Sequence, residues 1–401
     1  MCQIHTHNGV RPPSPKHHFV PLQFEPFWNS CGCPEAIHSC VVVKHRARQV
    51  LTAIHTLENT LRLFSWRVNA DGAIGCTGTA EAQLSDVVQV DLVRGSKYVT
   101  GCRTEAGELH LQCWDVSNTG AIYASGESAV AGVDLQWMQL LVLSPYRLLT
   151  IGLSKTGEWE LTTWEITQQA TLRKCHQTTM PAANGALAAT CLPTPELDAA
   201  VDTNGDVDFV IARHTAPDVI RWQQWRSLTD GQLVLQKTAD LNRPDIVDLA
   251  LITVDQTLMT LLHNAHGQLD CIRGWPTAVE TAVPSDDIVL ADTKSCTLLA
   301  RDVHLFAVTP NASEPILACA TRHPSDSPEP LAAASTLTFY DWQATAGTWS
   351  PCGTDRLPAT TATDLAICNQ PLEGNAPFLT AVGTDVGTLH LVTWGEVVDD
   401  V

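Results

Sequence analysis

The 401-residue chain has no apolar run of about 18 or more residues, which excludes an expected transmembrane helix. It is also short of positive charge. Lys and Arg number 24 against 43 Asp and Glu, a formal net charge of −19. No cluster of Lys and Arg suited to phosphate stands out along it, so nucleic acid and anionic membranes are not expected partners. Such a field suits cations or basic surfaces. The first residues, MCQIHTHNGVRPPSPKHHF, lack the apolar core of a secretory signal, and a cytoplasmic location is the expectation. There is no Cys-x-x-Cys pair; the closest spacing is Cys31 to Cys33. Of 14 cysteines, Cys102, Cys113, Cys191, Cys319 and Cys368 sit inside apolar runs and read as free, buried thiols. HExxH, GxSxG, P-loop and GxGxxG motifs are all missing, so nothing suggests a nucleophile or phosphate chemistry.

What the chain does have is a repeat. VLTAIHTLENTLRLFSW ends at Trp66, YVTGCRTEAGELHLQCW at Trp114 and LLTIGLSKTGEWELTTW at Trp164. Further units end at Trp225, Trp275, Trp342 and Trp394, at spacings of 48, 50, 61, 50, 67 and 52 residues from Trp66 onward. Each unit joins an apolar run (strand B), a Gly-, Asn- or Asp-bearing turn, and an alternating strand C. Leu109, Leu111 and Cys113 fall on one face of such a strand, with His110 and Gln112 on the other. Turns such as NADG (69–72) and SNTG (117–120) then introduce a strand D.

Four short strands about every 50 residues predict an all-β, seven-bladed β-propeller over residues 17–401, after a flexible arm at 1–16. The last unit has no residues left for its strand D. The alternating segment 17–28 is expected to supply it, closing the ring. Each Trp is expected to fill the wedge between blades. The N-terminal region also carries Cys2, His5, His7, His17 and His18, in no recognisable zinc spacing.

Strand C ending in Trp, with Trp114–Asp115, resembles the WD40 repeat. The other units read WR, WE, WR, WP, WQ and WG, and the family's Gly-His pair is missing. Units of the form T…GxLxLxxWxVxxxGxI are closer to bacterial propellers, including a type that alkylates resorcinol rings. No catalytic residue of that type matches a position here. DAAVDTNGDVDFVIAR (198–213) resembles the FG-GAP calcium loop, which implies Asp202, Asn204, Asp206 and Asp208 as Ca²⁺ ligands around the turn at Gly205. Its closing Asp arrives two residues early, and an Asx-rich turn is the alternative.

Strand A of a propeller lines the central channel, and several units open it with Asp: Asp86, Asp134, Asp248, Asp302 and Asp364. They read either as caps of their own turns or as an acidic channel mouth that binds a cation or basic ligand. A second series, His55, Arg103, His214 and His263, falls near the end of strand B on the same face. His304, two residues after Asp302, could serve as a general base or metal ligand. Segments 282–301 and 320–335 are long enough to overhang that mouth. The expected function is a propeller that binds a protein or small molecule at this mouth. The alternative is an enzyme using Asp302 and His304 in the same pocket.

Overall fold

The computed structural model describes residues 17–26, 37–46, 48–69, 73–82, 84–131, 134–181, 187–192, 205–216, 218–254, 257–274, 296–309, 316–322, 335–343, 348–356, 362–369, 378–384 and 388–398. These form antiparallel, mostly four-stranded sheets, in each of which consecutive strands pair as a meander. Strands A are Ile37–Arg46, Val87–Arg94, Leu135–Ser144, Leu187–Cys191, Ile246–Val254, Val303–Val308 and Ala362–Asn369. Strands B are Gln49–Thr56, Tyr98–Thr104, Arg147–Ser154, Val207–Ala216, Thr257–Asn264, Ile316–Arg322 and Phe378–Thr384. Strands C are Leu61–Val68, Leu109–Val116, Trp159–Ile166, Val219–Ser227, Leu269–Arg273, Ser335–Gln343 and Leu389–Val398. Strand D follows in blades one to six at Ile74–Glu81, Ile122–Ala131, Leu172–Met180, Leu233–Asn242, Cys296–Ala300 and Thr348–Arg356.

The arrangement is a seven-bladed propeller, and its hydrophobic cores show why the ring holds. Seven separate clusters occur, each shared by two neighbouring blades. One of them joins Ile37, Val50 and Trp66 of the first blade to Cys368, Leu379 and Leu391 of the seventh, so the ring closes through packing. A single sheet cannot bury both of its faces; stacking blades around an axis does.

The Trp positions explain much of this packing. Trp66, Trp114, Trp164, Trp225 and Trp394 are buried, each in the core shared with the preceding blade. In four of them the indole N–H donates to a Thr fourteen residues earlier on strand B. The pairs are Trp66–Thr52 at 3.0 Å, Trp114–Thr100 at 2.9 Å, Trp164–Thr150 at 3.1 Å and Trp394–Thr380 at 2.9 Å. Trp225 breaks the rule. The position fourteen residues before it is Ile211, and its buried Nε1 has no partner among the described residues.

Blade five departs further. Strand C ends at Arg273, and Gly274 donates its N–H to Leu258 O at 2.8 Å; Trp275 lies outside the described residues. The Thr of this blade, Thr260, is served from the preceding blade, because Trp222 donates to its Oγ1 at 3.0 Å from within the core of blades four and five. Trp342 is only half-buried. It packs edge-on against Trp349 at 5.6 Å, under the guanidinium of Arg273 at 5.5 Å. Among the expected buried thiols, Cys102, Cys113, Cys319 and Cys368 are buried, while Cys191 is half-buried and donates to Val142 O at 3.0 Å.

Candidate functional site at the face where strand A begins

Six strands A share one irregularity: pairing with strand B shifts between their first and third residues. The bulge twists the strand start and shifts the alternation of its side chains. It also divides the five expected aspartates into two sets.

Asp86, Asp134 and Asp302 immediately precede strand A, in left-handed backbone at φ of 59°, 58° and 59°. Asp245 occupies the same position in blade five at φ 61°; sequence reading placed Asp248 there. Asp tolerates this region better than most residues because its short side chain bonds locally. The backbone is also tied: Glu105 N donates to Asp86 O at 2.8 Å, Lys155 N to Asp134 O at 2.7 Å and Ala265 N to Asp245 O at 2.7 Å. The next residue bonds the turn of the preceding blade, as in Leu135 N to Gly107 O and Val303 N to Gly267 O, both at 2.9 Å. The four side chains are exposed around the rim.

Asp248 and Asp364 lie inside strand A, beyond the bulge. Asp364 accepts the N–H of Cys40 at 2.6 Å and of Leu365 at 3.0 Å, pinning blade seven to blade one. Burial raises its pKa, against the lowering effect of those bonds. Asp248 is reachable by solvent, yet the protein around it displaces enough water to raise its carboxyl as well; the Leu249 N–H it accepts at 2.8 Å pulls the other way. The five aspartates therefore do not form one ring.

The second series does share a register. His55, Arg103 and His263 pair with Ser39, Gln89 and Asp248, and His214 follows Arg213, which pairs with Leu187. Their bonds run mainly to backbone. His263 Nε2 lies 2.8 Å from Val303 O, and Arg103 donates to Leu135 O at 3.5 Å and to Gln89 Oε1 at 3.3 Å. His304 Nε2 lies 3.1 Å from Ala362 O. In each backbone contact the carbonyl belongs to the first strand-A residue of the next blade, so these side chains latch neighbouring blades together. His55 is 3.4 Å from Asn59 Oδ1, and burial lowers its pKa. Burial also lowers that of His214, whose Nε2 has no partner. Asp302 projects from the rim while His304 faces the next blade, which is not the geometry of a shared acid–base pair.

The calcium-like segment is described from Gly205 onward; Asp202 and Asn204 lie outside the described residues. Asp206 Oδ1 accepts Thr229 N at 3.1 Å. Asp208 holds Arg226 in a fork, Oδ1 to Nε at 2.7 Å and Oδ2 to Nη2 at 2.9 Å. Among the described residues no three His, Cys, Asp or Glu side chains are grouped to hold a metal ion. The last part of segment 282–301 is not an overhang but strand D of blade five, Cys296–Ala300. Residues 282–295 and 323–334 lie outside the described residues.

A hollow of about 520 Å³ opens on this same face, at blade two. Leu84, Ser85 and Asp86 line one side, and Thr104, Glu105, Ala106, Glu108 and His110 the other. Its walls are fixed by backbone. Gly107, at φ 90°, turns the chain and donates to Thr104 O at 2.9 Å, and Glu108 N donates to Thr104 Oγ1 at 3.2 Å. A Cβ at Gly107 would sit 2.8 Å from backbone of Asp134, so blade three presses on the turn from behind. Ser85 Oγ donates to Asp86 Oδ2 at 3.1 Å, and His110 Nε2 lies 3.2 Å from Glu108 Oε2. Three carboxylates and one histidine thus line the hollow. Glu105, Glu108 and His110 stand in the quoted sequence of the second unit, but nothing in their spacing marks a site, because Asp86 joins them only through the fold.

Fold and site together define a propeller with an acidic hollow on the strand-A rim. No family model matches the chain, and no curated protein matches it. Among solved structures it is similar to AofleA from Arthrobotrys oligospora, at 8% identity over 85% of this chain and 89% of that one, TM-score 0.48. A mutant of AofleA with three arginines changed to alanine is similar at 8% identity over 85% and 90%, TM-score 0.46.

Proposed function

We propose that the protein is a non-catalytic binding propeller, and that the hollow of blade two takes a compact basic group such as an amine or guanidinium. The observation that carries this is that Asp86, Glu105 and Glu108 line one hollow of about 520 Å³. Clustered carboxylates in a protein of net charge −19 raise the local concentration of cations. The competing enzymatic reading has less support, since His304 is engaged by the carbonyl of Ala362.

Isothermal titration with spermidine as the probe tests the reading. One site per chain is expected, with affinity falling as salt rises. Glu105→Gln/Glu108→Gln should weaken it at least tenfold, while Glu127→Gln/Asp230→Asn, exposed carboxylates elsewhere, leaves it unchanged. Equal weakening by both pairs would reduce the effect to net charge and remove the site.

Two further expectations stand as proposals. Segment His17–Pro26 completes blade seven; support comes from its antiparallel register with Leu389–Val398, running from His17 opposite Val398 to Pro26 opposite His390. Calcium at residues 202–208 rests on the alternating oxygen-bearing side chains and the bend at Gly205. A melting temperature unmoved by chelator or added Ca²⁺ would count against it.

A further inference from the structure

The opposite face of blades one and two carries the reverse charge. Their A–B turns bring together Lys44, Arg46, Arg94 and Lys97 from two stretches far apart in the chain. Arg94 Nη1 donates to Lys44 O at 3.0 Å, so the two turns touch across the blade boundary. The Arg94 guanidinium stands 5.7 Å from the centre of the Tyr98 ring, whose hydroxyl is 2.5 Å from Nδ1 of the buried His45.

Arg46 and Arg94 both act on this ring pair. His45 has its pKa lowered by burial, then by the positive charge of the two arginines, against a raising bond to the Ser117 carbonyl. Burial pushes the Tyr98 hydroxyl up to about 12, while the same arginines pull it down. Two like charges therefore flank one buried pair. Lys97 has a mate, Asp115, at 2.6 Å. Among the described residues, no carboxylate lies within ion-pair distance of Lys44, Arg46 or Arg94. In a chain with 43 acidic and 24 basic residues, a group of cations left without carboxylates is out of keeping with the surroundings. Their mutual repulsion is relieved when an anion bridges them.

We propose that Lys44, Arg46 and Arg94 form a binding site for a compact oxyanion of the phosphate or sulfate class, on the boundary of blades one and two. Arg46 and Arg94 are exposed, and guanidinium forks match the oxygens of such a group. The site stands on the face away from the acidic hollow and does not depend on the function proposed for it.

The test uses the full chain and inorganic phosphate, with sulfate as a second probe and sodium chloride at matched ionic strength as control. Titration followed by thermal melting should raise the melting temperature saturably over chloride. The apparent affinity should fall at least tenfold in Arg46→Gln/Arg94→Gln and be partly kept in Arg46→Lys/Arg94→Lys. Should the double variant fold poorly, Arg46→Gln alone serves, because Arg46 makes no bond among the described residues that the fold would lose. A second readout is the His45 ring titration by NMR: phosphate should raise its pKa by neutralising the flanking charges. A response equal to that of chloride, or one unchanged in the variants, overturns the proposal. So does binding seen only with long nucleic acid.

Discussion

The Trp–Thr bond between strands C and B is the smallest repeated unit of this fold, and its exceptions make predictions. Trp222, on blade four, donates across the blade boundary to Thr260 of blade five. Trp222→Phe should therefore lose a buried hydrogen bond, about 1–2 kcal/mol, beyond the loss of ring area. Trp225→Phe removes an N–H that has no partner, so it should lose ring area alone. Urea denaturation of both variants checks the difference; equal costs would mean that the bond contributes nothing. Asp91, on strand A of blade two, is a second residue-scale case. Burial raises its carboxyl to about 6, against two accepted N–H groups, from Leu92 and Leu140, both at 2.7 Å. Because the folded state then holds the proton more tightly than the unfolded one, its contribution to stability is full at low pH. It falls from roughly pH 4, where a free carboxyl titrates, through about 6. Asp91→Asn should abolish that part of the fall in denaturation curves taken from pH 4 to 7, and a fall of unchanged size would show that other groups carry it.

At the scale of elements, the strand-A entrance sets the limits of what the sequence reveals. Strands B and C were legible because a Gly-bearing turn and an alternating strand leave a pattern that any blade repeats. The entrance to strand A was not, because the bulge offsets its first residues and both Asp245 and Asp248 precede apolar runs. Only backbone φ and pairing separate Asp245, which turns the chain, from Asp248, which lies within the strand. In blade five the register puts Gly274 fourteen residues after Thr260, which the spacing of 50 residues between Trp225 and Trp275 conceals. The latch side chains illustrate the opposite case: their residue types suggest chemistry, but their partners are carbonyls of the next blade. The left-handed entrance also makes a prediction. Asp134→Gly should be tolerated, since glycine adopts φ near 58° without strain, whereas Asp134→Val should cost about 1–2 kcal/mol. Melting temperatures of the two variants decide it, and equal values would mean that the conformation is not held.

At the scale of the whole molecule, seven interblade cores close the ring, and the Asp364–Cys40 bond fastens its last boundary. The number of blades was readable from seven recurring Trp positions, one of which, Trp342, is half-buried. The distribution of charge was not readable. Acidic residues collect on the strand-A rim of blade two and basic ones on the turns beneath, and each group draws on segments that meet only when the blades stack. A net charge of −19 therefore conceals an acidic hollow and a basic group of turns on neighbouring blades. The claim that the acidic hollow is where a basic ligand binds is tested most directly by backbone hydrogen exchange with and without saturating spermidine. The account predicts added protection confined to residues 84–86 and 104–110 of blade two. Protection spread evenly over the acidic surface, or concentrated at another blade, would contradict it.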